Sequence, residues 1–224
     1  MGGIDRAFIF NMEIIGAYSI ATNKVCFLPK GVTQKTKEFF KEILEVEIEE
    51  TTIAESSLIG IFVAFNEKGI LLPWNSTKEE RDKMTPYFEN VEVFKSKFNA
   101  LGNLISANSN GAVIHINFNE EEINLIKDVL KVKNISFLPK GEQYLASFLY
   151  VNDKGFLASN YFSEKTLEIF RKTFNVNGDY GSVNRGSKII KLGLICNNKG
   201  GIVGGITTGV EIGKIDQIFF GKSS

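Results

Sequence analysis

The stretch that decides the fold is Leu192-Gly193-Leu194-Ile195-Cys196-Asn197-Asn198-Lys199-Gly200, with Ile202-Val203 following it. An apolar run, a polar turn ending in glycine and a second apolar run predict a β-hairpin, because glycine supplies the positive φ of a tight turn. The same arrangement recurs upstream, and the turn glycines at 69, 111, 155 and 200 are 42, 44 and 45 residues apart. A degenerate fifth copy, with Val25 in the glycine position, runs from Ile15 to Pro29.

A capped amphipathic helix is predicted after every hairpin. The predicted helices and caps are Gln34–Leu44 after Thr33, a helix after the box Ser76-x-x-Glu79, Glu120–Leu130 after Asn119, Glu164–Phe174 after Ser163, and a helix after the box Thr208-x-x-Glu211. A further extended stretch follows each of the first four helices, at 46–51, 91–95, 133–138 and 176–183, and a lone strand, Arg6–Phe10, opens the chain.

The repeating unit is therefore β-β-β-α, with a period near 44 residues. A chain that opens with an unpartnered strand and ends just after a helix suits a closed ring, which leaves few free strand edges. We expect one domain over residues 1–224: an α/β, five-bladed α/β propeller with fivefold pseudosymmetry, an architecture that resembles the pentein fold.

Composition narrows the classes of function. Lys and Arg together number 26, as do Asp and Glu, so the net charge is zero, and binding to nucleic acid mainly through phosphates is disfavoured. Two cysteines cannot form a disulfide framework and suggest a reducing compartment. The sequence carries neither a signal-peptide pattern nor a membrane-spanning apolar stretch, so we expect a cytoplasmic location and no membrane partner.

One catalytic arrangement can be assembled from the residue types. Some penteins modify guanidine groups with a cysteine nucleophile and a histidine base, and this chain has Cys196, the single histidine His115, and carboxylates such as Asp153 or Glu211. Cys196, however, stands in an apolar run that predicts a buried strand. With no cluster of metal ligands in the pattern, no cofactor is expected.

Several segments resemble one family along nearly the whole chain. The segments are Lys97–Leu104, Ser182–Ser187, Gly204–Glu211, Ile53–Gly60 and Gly69–Pro73, and they resemble translation initiation factor six, the ribosomal anti-association factor of archaea and eukaryotes. Three positions depart from the family pattern: Ile206 in place of Asp, Glu55 in place of Gly, and Ile116 after His115 in place of Pro. The composition, rich in Lys, Ile, Asn and Phe, resembles that of archaeal members.

The resemblance implies a function without catalysis. It implies a protein that binds the large ribosomal subunit, prevents its premature association with the small subunit, and takes part in large-subunit maturation. A protein patch on the subunit, with rRNA nearby, is the expected partner, and the factor is expected to be a monomer without a small-molecule substrate. Two alternatives remain: a thiol hydrolase that uses Cys196, and an rRNA-binding assembly factor without anti-association activity.

Ribosome-binding residues are expected at the end of the propeller where each blade's second strand begins. The matched positions are Gly16, Gly60, Gly102, Asn103 and Gly193, followed by Asn184 and Arg185 before the last hairpin. The glycines have a second explanation, since a glycine at a strand start also permits close packing near a central channel. Asn103 is expected to make a polar contact, because a buried amide without a partner is costly. Arg185 is also able to pair with a carboxylate within the ring.

Overall fold

The computed structural model describes residues 3–141 and 144–221, which form a ring of five three-stranded blades. In blades 1 to 4 an antiparallel pair is followed, after a helix, by a strand parallel to the middle one, and in blade 5 this third strand is Ile4–Ala7 at the start of the chain. This is the pentein architecture that the repeat predicts. The strands are β2 (Ile20–Ala21), β3 (Val25–Pro29) and β4 (Glu47–Thr51) in blade 1; β5 (Ala64–Phe65), β6 (Gly69–Pro73) and β7 (Asn90–Phe94) in blade 2; β8 (Ile105–Ala107), β9 (Gly111–Ile114) and β10 (Asn134–Phe137) in blade 3; β11 (Leu149–Val151), β12 (Phe156–Ala158) and β13 (Gly178–Tyr180) in blade 4; and β14 (Leu194–Cys196), β15 (Gly201–Gly204) and β1 (Ile4–Ala7) in blade 5.

The first strand closes the ring. β1 pairs in parallel with β15, with Ile4 opposite Gly201 and Ala7 opposite Gly204, so the beginning of the chain completes the last blade. The lone opening strand is therefore confirmed in kind, although it covers Ile4–Ala7 rather than Arg6–Phe10. Pairing within one chain in this way satisfies a strand edge that would otherwise be free to bind another chain.

Within the described residues, five helices of seven or more residues follow the middle strands of the blades. They are Gln34–Leu44, Lys78–Met84, Glu120–Leu130, Glu164–Phe174 and Gly209–Phe219. The second begins later than predicted, because Ser76 belongs to a turn in which its backbone N–H donates to the carbonyl oxygen of Pro73. The capping box is instead Thr77 with Glu80, whose side chain and backbone N–H groups bond reciprocally. The predicted box at Ser76 and Glu79 is thus wrong by one residue.

The two ends of the ring differ in structure. At one end, a short helical turn precedes each inner strand where the repeat had suggested extended chain; these turns are Ile15–Tyr18, Ile59–Phe62, Leu101–Asn103, Leu145–Phe148 and Ile190–Gly193. Each turn contacts the next, and the last contacts the first, which closes a circle around the axis. We call this the helical-turn end; it includes the loops that follow the middle and outer strands. The hairpin turns form the opposite, hairpin end.

Close packing explains the glycines in these turns. A Cβ atom on Gly60 would collide with the carbonyl oxygen of Gly16, and one on Gly102 would collide with that of Gly60. A side chain at either position would therefore force neighbouring blades apart. The packing interpretation of the strand-start glycines is confirmed for this part of the circle.

Apolar burial is divided among five clusters rather than one central core. Each cluster combines residues of two neighbouring blades; Leu71 and Phe94 of blade 2, for example, pack with Leu101 and Ile126 of blade 3. Since each blade shares its apolar faces with both neighbours, the stability of one blade depends on the next.

A series of asparagine amides joins the blades at the hairpin end. Asn66 donates from Nδ2 to the carbonyl oxygen of Asn108 at 2.9 Å, and Asn108 donates in the same way to Asn152 at 3.3 Å. Asn197 completes the series by donating to the carbonyl oxygen of Thr22 at 3.0 Å. The sequence indicated these asparagines only as turn residues, but each one also bridges to the next blade.

Candidate functional site

Exposed large apolar side chains are concentrated at the helical-turn end. Of the ten among the described residues, nine lie there: Phe8, Phe10, Met12, Trp74, Ile116, Phe137, Tyr144, Tyr161 and Val210. The tenth, Ile169, lies on the helix Glu164–Phe174 at the side of the ring. The hairpin tips are polar or charged instead: Asn23-Lys24, Glu67-Lys68, Ser109-Asn110, Asp153-Lys154 and Asn198-Lys199. Exposed aromatic and Met side chains on one face are typical of a protein-binding surface.

Arg185 stands out from this surface on a constrained turn. Asn184 and Arg185 have φ values of 50° and 62°, in the left-handed region. The Glu211 carboxylate holds the turn by accepting from the backbone N–H of Arg185 at 3.2 Å and of Gly186 at 2.8 Å. Arg185 is exposed, and its guanidinium forms neither an ion pair nor a hydrogen bond with the described residues. The group is therefore free to meet an acidic or carbonyl-rich partner.

Asn184 has a different position. Its Nδ2 donates to the carbonyl oxygen of Glu13 at 3.1 Å, and its Oδ1 accepts from the Thr207 hydroxyl at 3.0 Å. The side-chain amide thus ties together two loops of the helical-turn end. Its polar atoms support this surface from within.

The glycines and Asn103 of the predicted site are in different environments. Gly16, Gly60 and Gly102 are buried in the circle of helical turns and support the surface from below. Asn103, next to Gly102, is partly exposed, and its amide makes no hydrogen bond with any other residue that the structure describes. Its hydrogen-bonding capacity remains available to a partner.

The equivalence of Gly193 is a correction. The residue of blade 5 that corresponds to Gly16 is Lys191, because a Cβ on Gly16 would meet the carbonyl oxygens of Lys191 and Leu194, as one on Gly60 would meet those of Gly16 and Ser19. Gly193 lies two residues further on and packs beneath Val183 and Asn184. Gly193 was matched to Gly16 because both are glycines. The sequence alone does not show that the equivalent position lies two residues earlier, at Lys191.

Lys191 crosses the centre of the ring. Its Nζ donates to the carbonyl oxygens of Gly102 at 2.7 Å and Ile105 at 3.0 Å, and to Ser106 Oγ at 3.0 Å. Burial lowers the pKa of Lys191 to about 7. The surrounding central cavity has a volume of about 60 Å³ and is lined by the inner strands. Pockets for small molecules usually measure about 300–1,000 Å³.

The structure does not bring His115 and Cys196 together. His115 follows β9 at the helical-turn end of blade 3, where its Nδ1 accepts from the backbone N–H of Asn117 at 3.3 Å. Cys196 ends β14 beside the hairpin turn of blade 5, at the opposite end of the ring. Burial raises the pKa of the Cys196 thiol and lowers that of His115, which Lys97 also lowers. A base must lie within hydrogen-bond reach of its nucleophile, so this pair does not form a catalytic site.

The described residues show neither a metal-binding cluster nor a membrane-spanning helix. No group of three or more His, Cys, Asp or Glu side chains there has the arrangement of a metal site. In the same residues, no helix combines the length and apolar character that crossing a membrane requires.

One solved structure shows weak similarity to the chain. A mutant DDAH from Pseudomonas aeruginosa in complex with citrulline has a TM-score of 0.45 and 14% identity, covering 74% of this chain and 68% of that one, and these values are too low to carry an argument.

Comparison with known sequences identifies the family. The sequence matches the eIF-6 family over residues 4–218. It is 38% identical over 217 residues to translation initiation factor 6 of Saccharolobus islandicus, covering 96% of this chain and 97% of the relative. The Picrophilus torridus factor is 31% identical over 214 residues, with 96% and 98% covered. The resemblance seen in the sequence is therefore confirmed: the chain belongs to the eIF-6 family of translation initiation factors.

Proposed function

We propose that this protein binds the large ribosomal subunit through its helical-turn end and thereby prevents premature association with the small subunit. The same binding would take part in the maturation of the large subunit, in the cytoplasm, where subunits are joined. Family membership supplies the context for this proposal. The observation that carries it is the position of nine of the ten exposed large apolar side chains at one end of the ring.

The chemistry of this end suits a protein partner with RNA nearby. Aromatic, Met and Arg side chains are enriched at protein interfaces, and here Phe10, Met12 and Arg185 are exposed together. A net charge of zero fits a surface that rests mainly on protein, because a protein that binds RNA chiefly through phosphates has an excess of basic residues. Asn103 and Arg185 would add polar contacts.

The mechanism is steric and follows mass action. A large subunit that carries the factor on its joining face leaves the association equilibrium, so the effect grows with the ratio of free factor to its dissociation constant. A closed ring is well suited to this task. Its loops are fixed by hydrogen bonds such as the one that the Asn184 amide donates to Glu13 and the one that it accepts from Thr207, so little conformational entropy is lost on docking.

The interior of the ring supports a binding role rather than a chemical one. The central cavity is small and is crossed by Lys191, while the one histidine and Cys196 lie at opposite ends. We therefore expect no enzymatic activity and no small-molecule substrate. We also expect a monomer, since β1 occupies the strand edge of β15 within the same chain.

Sedimentation of purified protein with separated archaeal subunits tests the proposal. The wild type should migrate with the large subunit and not with the small one. Arg185→Ala and Asn103→Ala should weaken this binding, whereas Lys154→Ala at the hairpin end should not. Absence of the protein from the large-subunit fraction would contradict the proposal.

Tight, steeply salt-dependent binding to naked rRNA without an effect on joining would instead favour the assembly-factor alternative. An activity abolished by Cys196→Ser would favour a hydrolase.

A further inference from the structure

A groove with an aromatic wall and a basic wall opens between blades 2 and 3 at the helical-turn end. It has a volume of about 690 Å³ and is lined by Trp74, Lys95, Ser96, Lys97, Asn117, Asn119 and Glu122. The exposed large apolar side chain in this groove is Trp74, which is 56% exposed. The indole ring therefore presents an open aromatic face beside the two lysines, a combination suited to stacking on a base.

Strand register places the aromatic and the basic side chains next to each other. Pro73 at the end of β6 lies opposite Phe94 at the end of β7 in a parallel pair. Trp74 and Lys95 are the next residues of the two strands, so they leave the sheet side by side. Lys97 follows two residues later, with its Nζ 5.1 Å from the centre of the Phe98 ring.

The groove carries a net positive charge, with two lysines and one carboxylate, Glu122, in its lining. Lys95 and Lys97 are exposed, and neither ammonium group lies within 4 Å of a carboxylate among the described residues. Glu122 contributes the carboxylate to the lining, but its Oε2 accepts from the backbone N–H of Asn119 at 2.8 Å in a capping box. Two lysines therefore line the groove without an ion pair among the described residues, and they outnumber its one carboxylate.

We infer that this groove binds an unpaired nucleotide of single-stranded RNA, with the base stacked on Trp74 and the flanking phosphates paired with Lys95 and Lys97. Aromatic side chains that alternate with basic ones are the usual means of holding single strands. Asn117 is exposed at the rim and carries an amide able to meet a base edge. This inference rests on the proposed function, because it assigns to one groove the contact with RNA near the protein patch. A single nucleotide contact is also compatible with a net charge of zero.

The chain supplies its own probe, because Trp74 is its one tryptophan. Titration with an unlabelled single-stranded RNA decamer of mixed sequence should quench the fluorescence of the wild type. Anisotropy of the end-labelled decamer should show about tenfold weaker binding for Trp74→Ala, in line with the loss of one stacked base. Two phosphate contacts predict that log affinity changes with log salt concentration with a slope of about −1.4. For Lys97→Ala, which removes one contact, the slope should become shallower, at about −0.7.

Matched controls separate the groove from general charge effects. Lys154 and Lys172 are exposed lysines away from the helical-turn end, and the double variant Lys154→Ala/Lys172→Ala should bind the decamer as the wild type does. Duplex RNA should bind at least tenfold more weakly than the single strand. Unchanged melting temperatures would show that the variants are folded.

Three results would overturn the inference: no quenching at low salt, binding that is unaffected by Trp74→Ala, or an oligoglutamate peptide that binds as tightly as RNA. The proposed function fails separately, if the wild type does not sediment with the large subunit. A wild type that sediments with the subunit but leaves the decamer unbound would remove the RNA site and leave the proposed function in place.

Discussion

Lys191 of blade 5 donates from Nζ to the carbonyl oxygen of Gly102 in blade 3, at 2.7 Å, across the axis of the ring. Its bonds to Ile105 and Ser106 also reach blade 3, whereas the other side-chain bonds between blades in the described part of the chain join immediate neighbours. Lys191→Met keeps the length of the side chain but removes all three of its hydrogen bonds. We expect its free energy of unfolding to fall by about 2 kcal/mol, because buried carbonyl oxygens lose their donor. Urea denaturation measures this change.

The same lysine gives stability a pH dependence. Its folded pKa of about 7 lies below the ordinary value near 10.4, so between these values the unfolded chain binds more protons than the folded one. The free energy of unfolding should therefore rise with pH from about 7 to 10. Lys191→Met should lack this rise. A wild type whose stability is constant or falls over this range would contradict the burial of the ammonium group.

The amide series at the hairpin end predicts a large effect at one residue. Asn108 donates from Nδ2 to the carbonyl oxygen of Phe174 at 2.9 Å, and its Oδ1 accepts from the backbone N–H of Gly111 at 3.1 Å. Asn108→Ala should lower the free energy of unfolding by about 3 kcal/mol, because it removes side-chain hydrogen bonds both within the turn and to the next blade. Asn124→Ala, on an exposed helix face, should change it by less than about 0.5 kcal/mol. Equal effects of the two variants would refute the bridging role.

Glu55 occupies a position that favours glycine. Its φ of 60° lies in the left-handed region, which costs a residue with a Cβ about 1 kcal/mol. Its side chain is exposed, so little packing is lost with it. Glu55→Gly should raise the free energy of unfolding by about 1 kcal/mol, whereas Glu121→Gly, in a helix, should lower it. Thermal denaturation of both variants tests the prediction, and a destabilised Glu55→Gly would contradict it.

Glu80 predicts a loss of stability in acid. Burial alone would raise the pKa of this carboxyl, but hydrogen bonds from Glu55 N, Thr52 Oγ1, Thr77 N and Ala54 N outweigh burial and hold the pKa below its usual value. The unfolded chain therefore binds the proton more tightly, and stability falls as the pH drops from about 5 through the folded pKa. Glu80→Gln should be less stable at pH 6 and should lose less on acidification. An exposed control, Glu121→Gln, should follow the wild type.

Local signals allowed much of the fold to be predicted. The helices Gln34–Leu44, Glu120–Leu130 and Glu164–Phe174 have the predicted bounds, because each combines a capping side chain with apolar residues at helical spacing. The five hairpins followed from repeated turn residues. Ring closure followed from the phase of the repeat, and β1 confirms it.

Long-range relationships could not be predicted in this way. The correspondence of Lys191 with Gly16 is seen only in the structure, where the carbonyl oxygen of Lys191 faces that glycine in the next blade. The residue types at the two positions differ and therefore give no sign of it. Asn184 was predicted as a binding residue, but its amide reaches Glu13, far away in the chain, and is used within the surface. The free guanidinium of Arg185 and the open amide of Asn103 agree with the expected exposure, while their contacts with a ribosome remain predictions.

A subunit-joining assay that compares variants of the helical-turn end with a variant of the side of the ring tests docking through the helical-turn end most directly. Purified large and small subunits are mixed under association conditions with increasing protein, and joined ribosomes are measured by sedimentation. Wild type and the control Asn124→Glu/Ile169→Glu should deplete joined ribosomes at the same concentration, whereas Met12→Glu/Val210→Glu, which places charge on the exposed apolar surface, should need at least ten times more. Equal potency of all three proteins, or a wild type that leaves joining unchanged, would contradict the proposal.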